Sequence, residues 1–212
     1  MFAPEGWPFI LGGAAFSVAV SLIGPRWLSA PLVALGVLFT LFSMWFFRNP
    51  HRTSPEGEGL VVSPADGTVF KIGDEPPGRY SSAPGKIVCI FMSPMNVHVN
   101  RAPVSGRVAK VMYNKGEFHV AKVDKASLLN EQNGVEIVTP EGRSVTYVQI
   151  AGMIARRIVS DVKEGDVVTQ GHRVGLIRFG SRVDLYLPED ARIMVSVNDR
   201  VRAGETVLGV FK

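Results

Sequence analysis

The sequence predicts a mainly β domain, a compact sandwich or barrel of short strands, behind an N-terminal hydrophobic helical hairpin. Three observations predict it. Two long apolar stretches occupy the N-terminus. After Leu60 only short apolar runs occur, punctuated by Gly, Pro, Asn and Asp. Two Gly-centred patterns then recur along the chain. At 212 residues the chain is long enough for one domain with a sizeable core plus an accessory segment. Apolar residues make up 46% of it, and the excess lies in residues 1–47, where Glu5 and Arg26 are the only charged side chains.

The apolar stretches, Trp7 to Gly24 and Trp27 to Phe47, flank the breaker Gly24-Pro25-Arg26. At about 1.5 Å per residue each is long enough, or nearly so, to cross a bilayer core. Trp7 and Trp45 stand at the outer ends and Trp27 beside the turn, so a hairpin sets the first two at one interface and the third at the other. Arg48, His51 and Arg52 follow, and the positive-inside rule expects a cell-membrane protein whose domain, residues 48–212, lies on the cytoplasmic face. A signal peptide is excluded by the missing basic n-region and by the second apolar stretch. Whether the hairpin spans the bilayer or only enters it stays open, because the turn is too short for a polar loop.

From Leu60 onward the strand-like runs are Leu60 to Val62, Lys86 to Met92, Gly106 to Tyr113, Val135 to Thr139, Ser144 to Ile150 and Ile193 to Val197; Lys122 to Asn130 is the one candidate for a short helix. Asp166-x-Val168-x-x-Gly171-x-x-Val174 returns as Asp199-x-Val201-x-x-Gly204-x-x-Val207. Pro64-x-Asp66-Gly67-x-Val69 returns as Pro103-x-Ser105-Gly106-x-Val108. These repeats are similar to the hammerhead turns of lipoyl and biotinyl domains, which fixes no function.

The net charge of +4 suits an anionic membrane surface, whereas no basic stripe interleaved with aromatics marks a nucleic-acid partner. The one cysteine, Cys89, sits in an apolar run and reads as a buried inert thiol. Four scattered histidines and that cysteine make no zinc pattern, so no metal is expected, and neither a Walker loop nor a strand-linked GxGxxG is present.

Four motifs carry chemistry: Phe46-Phe47-Arg48-Asn49-Pro50-His51-Arg52, Ser63-Pro64-Ala65-Asp66-Gly67-Thr68-Val69, Ser93-Pro94-Met95-Asn96-Val97-His98-Val99-Asn100-Arg101-Ala102-Pro103, and Phe179-Gly180-Ser181-Arg182. A serine after glycine can attack its own preceding carbonyl, since glycine tolerates the strained backbone that attack requires. The ester then eliminates to dehydroalanine, which hydrolyses to a pyruvoyl group at a new N-terminus. Alone, a Gly-Ser pair in a strand is more often a bulge or turn. In this order and spacing, however, the four motifs resemble the short form of the phosphatidylserine decarboxylase family over essentially the whole chain. Asn130-Glu131 and Ile150 to Ile154 match as well.

The resemblance implies a proenzyme cut between Gly180 and Ser181, giving subunits 1–180 and 181–212 that stay together as a heterodimer; further dimerisation is left open. It implies a pyruvoyl cofactor made from Ser181, a Schiff base with phosphatidylserine in the membrane, release of CO₂, and phosphatidylethanolamine as product. By the same resemblance Asp66 serves self-cleavage, orienting or polarising the base that takes the Ser181 proton; on residues alone an Asp-Gly turn that caps backbone N–H groups competes. His98 matches the histidine of decarboxylation, and alternation sets Asn96, His98 and Asn100 on one strand face. Longer members carry a second histidine three positions later, where this chain has Arg101. Arginine is a poor base, so either His98 serves both steps or Asp66 acts, with Arg101 in electrostatic support or gripping a substrate phosphate or carboxylate. Asn96 and Asn100 are candidates for support or substrate binding.

His51, His119 and His172 read as headgroup-level or surface positions. Met153 and Ile154 are candidates for the edge that receives the glycerol region. Three rivals are weaker. An adaptor lacks its heptads, a lipoyl or biotin carrier lacks a lysine at a hairpin tip (Lys163 and Lys212 do not fit), and a pyruvoyl decarboxylase of soluble amino acids leaves the hairpin unexplained.

Overall fold

The computed structural model describes residues 1–116, 130–152, 157–178 and 181–211, which form two compact units, Met1–His51 and Arg52–Lys212. In the first unit a 3-10 turn, Pro4–Gly6, leads into α1 (Trp7–Ile23), and α2 (Arg26–Phe46) begins after Gly24-Pro25. At 17 and 21 residues, the helices are about 26 and 32 Å long. Small residues let them pack closely: a Cβ at Gly13 would stand 2.5 Å from Thr40 Oγ1, and one at Gly36 would collide with Ser17. Ser17, Thr40 and Ser43 donate to carbonyls one turn back, at 2.9, 2.8 and 2.8 Å, so these hydroxyls find partners inside the hairpin. Leu11, Val18, Leu22, Leu35, Leu38 and Trp45 are exposed. Both helices are long and apolar enough to cross a membrane.

The second unit is built of strands: β1 (Leu60–Val62), β2 (Gly67–Glu75), β3 (Gly85–Met92), β4 (Val99–Arg101), β5 (Gly106–Asn114), β6 (Gln132–Val138), β7 (Ser144–Ala151), β8 (Arg157–Ser160), β9 (Val167–Val168), β10 (Arg173–Arg178), β11 (Ser181–Pro188), β12 (Arg192–Ile193), β13 (Arg200–Val201) and β14 (Val207–Val210). They form an eight-stranded sheet in the order β13-β2-β3-β11-β7-β6-β5-β9 and two three-stranded sheets, β4-β10-β8 and β1-β14-β12. The core lies on the inner face of the large sheet. There Val69, Ile90, Val183, Leu185, Tyr147, Val135 and Ile137 pack with Val174 and Ile177 of β10.

The recurring sequence patterns become paired structural units. Gly171 and Gly204 turn at φ 78° and 75°, in the left-handed region that favours glycine. Gly171 N–H donates to Ala102 O (2.9 Å), as Gly204 N–H donates to Ser63 O (2.8 Å). Val62 N–H reaches Pro103 O at 2.9 Å, and Arg101 N–H reaches Pro64 O at 3.0 Å. Val108 N–H donates to Asp166 O (2.8 Å), as Val69 N–H does to Asp199 O (2.9 Å). Each repeat therefore clasps its counterpart by the same bonds.

Of the expected strand Ile193 to Val197, only Ile193 lies in a strand, β12, paired with β14, and the Met194 N–H extends that contact to Leu208 O at 2.9 Å. The following residues turn instead, because Asp199 Oδ2 accepts the Ser196 N–H at 2.8 Å and Asn198 adopts φ 78°. Of the expected helix Lys122 to Asn130, residues 122–129 lie outside the described residues, as do His119, Met153, Ile154, Phe179 and Gly180, and Asn130 itself is a bridge residue rather than a helical one.

Candidate active site

Ser181 opens β11, the strand between β3 and β7, pairing with Met92 on one side and Ala151 on the other. Cross-strand partners share a face, so Met92, Ser181 and Ala151 form a row on the inner side of the sheet. Ser181 is wholly buried. Its hydroxyl lies 3.4 Å from Met92 Sδ, a weak acceptor. The Asn100 amide reaches the same sulfur at 3.8 Å, so Met92 links the serine to β4.

The facing layer is positioned by buried amides. Asn133 Nδ2 donates to Gln149 Oε1 (3.0 Å), Gln149 Nε2 to Asn100 Oδ1 (2.9 Å), and Asn100 Nδ2 to Pro64 O (3.3 Å). Each bond fixes the orientation of the next amide and turns the Asn100 donor group toward Met92. His98 lies two residues back on the same face, fully buried, and its backbone carbonyl accepts the Ile177 N–H at 3.3 Å. Its Nδ1 is 3.0 Å from Asn96 O. A carbonyl can only accept, so this bond requires Nδ1–H and makes Nε2 the proton-accepting nitrogen of the neutral ring. Asn96 caps the loop ahead of His98, its Oδ1 accepting from Ser93 N–H and Ser93 Oγ at 2.8 Å each.

Asp66 directly precedes β2, two strands from β11, so about 10 Å of sheet separates it from Ser181. Its Oδ1 accepts the Ala203 N–H at 2.8 Å, and its Oδ2 accepts from Arg52 Nη2 at 2.8 Å. Arg52 also reaches Glu205 at 3.3 Å. The equivalent residue of the other half, Ser105, accepts the Gln170 N–H at 2.9 Å. Capping the turn is thus common to both halves, and the Arg52 pairing distinguishes Asp66.

Arg101 points to the opposite face of β4 from His98 and Asn100. Its Nη1 donates to Gly171 O at 2.8 Å, beside Gly204. Burial, and after it the neighbouring Arg52 guanidinium, draw its pKa below the ordinary arginine value. The structure therefore joins Ser181, Met92 and Asn100 in one layer contact, with His98 two residues before Asn100, and Asp66, Arg52 and Arg101 in a second cluster beneath the Gly turns. His51 and His172 are exposed.

What the sequence did not anticipate is the part played by Met92, Gln149 and Asn133 and the pairing of Arg52 with Asp66. Each lies in an apolar run or a linker whose local pattern reads as core or loop. A buried pair also follows Ser181 at once: Arg182 Nε and Nη2 each donate to Asp184 at 2.6 Å. Cys89 beside them is buried, and its thiol pKa is pushed up by burial and then by the Asp184 carboxylate. That keeps the thiol protonated and unreactive.

A family model described as phosphatidylserine decarboxylase matches residues 39–209. A phosphatidylserine decarboxylase proenzyme of Syntrophus aciditrophicus is 48% identical over 211 residues, covering 99% of this chain and 97% of that protein. One from Syntrophotalea carbinolica is 48% identical, covering 99% and 96%. One from Paramagnetospirillum magneticum is 45% identical, covering 96% and 84%.

Proposed function

This chain belongs to the phosphatidylserine decarboxylase family, and from that premise we propose that it is a membrane-anchored proenzyme. It cuts itself between Gly180 and Ser181 and then converts phosphatidylserine to phosphatidylethanolamine. The observation that carries this reading is the buried Ser181 at the head of a central strand, its hydroxyl against the thioether of Met92, which the Asn100 amide of β4 reaches from the facing layer, with His98 buried just ahead of that strand.

In self-cleavage, Ser181 Oγ replaces the peptide nitrogen on the Gly180 carbonyl carbon. Loss of the Ser181 Cα proton then breaks the Cβ–Oγ bond and leaves Gly180 as a carboxylate. Water expels the nitrogen as ammonia. Ser181 suits this origin of a pyruvoyl group: Met92 competes weakly for its hydroxyl proton, and ladders on both sides hold its backbone after scission. Once formed, the group supplies a carbonyl that accepts the electrons of the bond lost as CO₂.

His98 is the base for the first reaction and the proton carrier for the second. Its Nε2 takes the Ser181 Oγ proton, and later returns a proton to the headgroup carbon. Asp66 does not act on Ser181 directly, because two strand spacings, about 10 Å, lie between their backbones. It holds the turn whose Pro64 carbonyl receives Asn100 and Arg101, and so positions the layer that carries His98. Asn100 supports the serine, and Asn96 holds the His98 tautomer. Arg101 secures the Gly171 turn rather than gripping substrate. The hairpin anchors the enzyme in the bilayer that holds its substrate, and Arg48, His51 and Arg52 favour the cytoplasmic face.

Intact-mass analysis tests the reading. Active protein is expected as two fragments, 1–180 and 181–212, the smaller one blocked to Edman degradation and reactive with amine plus borohydride. Ser181→Ala gives one uncut, inactive chain. An uncut chain that decarboxylates phosphatidylserine would overturn the proposal.

A further inference from the structure

Glu131 is 6% exposed, a carboxylate taken almost wholly out of water. Its Oε1 accepts the Tyr113 hydroxyl at 2.9 Å. Its Oε2 is buried as well, and no described residue donates to it. Leaving a buried carboxylate oxygen unmatched is costly, and such groups concentrate where a ligand completes them.

Its place in the sheet indicates which ligand. The Ala151 N–H donates to Glu131 O at 3.0 Å, and Ala151 pairs directly with Ser181. The β6–β7 register sets Gln132 against Ile150 and Asn133 against Gln149. Alternation therefore puts Glu131 in the inner-face row with Ala151 and Ser181. Two strand spacings separate the Glu131 and Ser181 backbones, about 10 Å, and among the described residues of that row the Ala151 methyl stands between them. Tyr113 lies on β5, on the far side of β6, and holds one carboxylate oxygen there. The other takes no described donor, and along the same row on the β7 side Ala151 and Ser181 follow.

We infer that Glu131 is the substrate-binding residue that receives the ammonium of the serine headgroup, holding it over Ala151 beside Ser181. The ammonium is the one cationic group of that headgroup, whose phosphate and carboxylate would be repelled by Glu131. This inference rests on the function proposed above.

The test uses the full chain in detergent and begins with intact mass. Failure of the wild type to mature would remove the parent reading and is seen before Glu131 is changed. Matured wild type, Glu131→Gln and Glu131→Asp are then titrated by calorimetry with dihexanoyl-phosphatidylethanolamine, which keeps the ammonium, and with dihexanoyl-phosphatidylglycerol, which lacks it. Glu131→Gln is expected to be cut to completion and to bind the amine lipid about ten- to a hundredfold more weakly, the range of a charge-assisted hydrogen bond. It should bind the glycerol lipid within about twofold of wild type, since that lipid offers no ammonium to pair. Glu131→Asp should restore part of the loss, and the Michaelis constant for phosphatidylserine should rise in parallel. Equal effects on both lipids, or none, would overturn the inference. An uncut Glu131→Gln protein beside a cut wild type would overturn it too, assigning the carboxylate to maturation.

Discussion

Asp66 and Ser105 occupy equivalent seats in the two halves of the domain, and each accepts a backbone N–H of the opposite Gly turn. Asp66→Ser therefore keeps the cap but takes the carboxylate out of a largely buried ion pair, leaving Arg52 to Glu205 and the Ala203 carbonyl. It should lower the melting temperature less than Asp66→Ala does. Losing the Arg52 partner should slow self-cleavage at least about tenfold, followed as fragment appearance on gels. Asp66→Ala also strands the Ala203 N–H, costing about 1–3 kcal/mol of stability in denaturant titration. A second residue-scale prediction concerns His98: His98→Ala should give an uncut chain, whereas a cut but inactive product confines the imidazole to decarboxylation. The Asp-Gly turn and the burial of His98 and Asn100 on one face were legible in the sequence, because a turn pair and an alternation of polar groups with valine are local patterns. Arg52 was not, since its pairing crosses a Pro-containing linker. Met92 was not, because a methionine in an apolar strand reads as packing.

Strand β11 shows where element-scale reading stops. Arg182-Val183-Asp184-Leu185-Tyr186-Leu187 alternates as a half-solvated strand does. Yet Arg182 is 2% and Asp184 0% exposed, because Phe70, Cys89 and neighbours on the outer face cover them. Spacing by two on one strand face was the available signal for a bidentate pair. Arg182→Met leaves Asp184 as an uncompensated buried charge and should cost about 3–5 kcal/mol. Adding Asp184→Leu should recover most of that loss, read as the midpoint of urea unfolding. Register also decides the neighbouring site. Glu131 was visible as a matched residue, but its seat in the Ser181 row follows only from the β6–β7–β11 ladders.

At the scale of the whole molecule, the division into hairpin and strand domain was legible from the abrupt change in apolar run length near Leu60. The Gly repeats announced the paired turns. Three separate sheets were not legible, because short strands carry no label for their distant partners. The strand unit has its own core, so residues 48–212 without the hairpin should still cut at Ser181 and act on soluble short-chain phosphatidylserine. They should no longer float with vesicles or process lipid held in them. Along its whole length β11 is bonded to β3, and over most of it to β7. A severed C-terminal piece is thus trapped in the middle of a sheet and cannot be exchanged without unraveling the domain. On the function proposed above, every copy then carries a reactive end made once from its own chain. When that end is spent, only translation of a new polypeptide replaces it, and the working life of the catalyst ends with the chemical life of a single ketone.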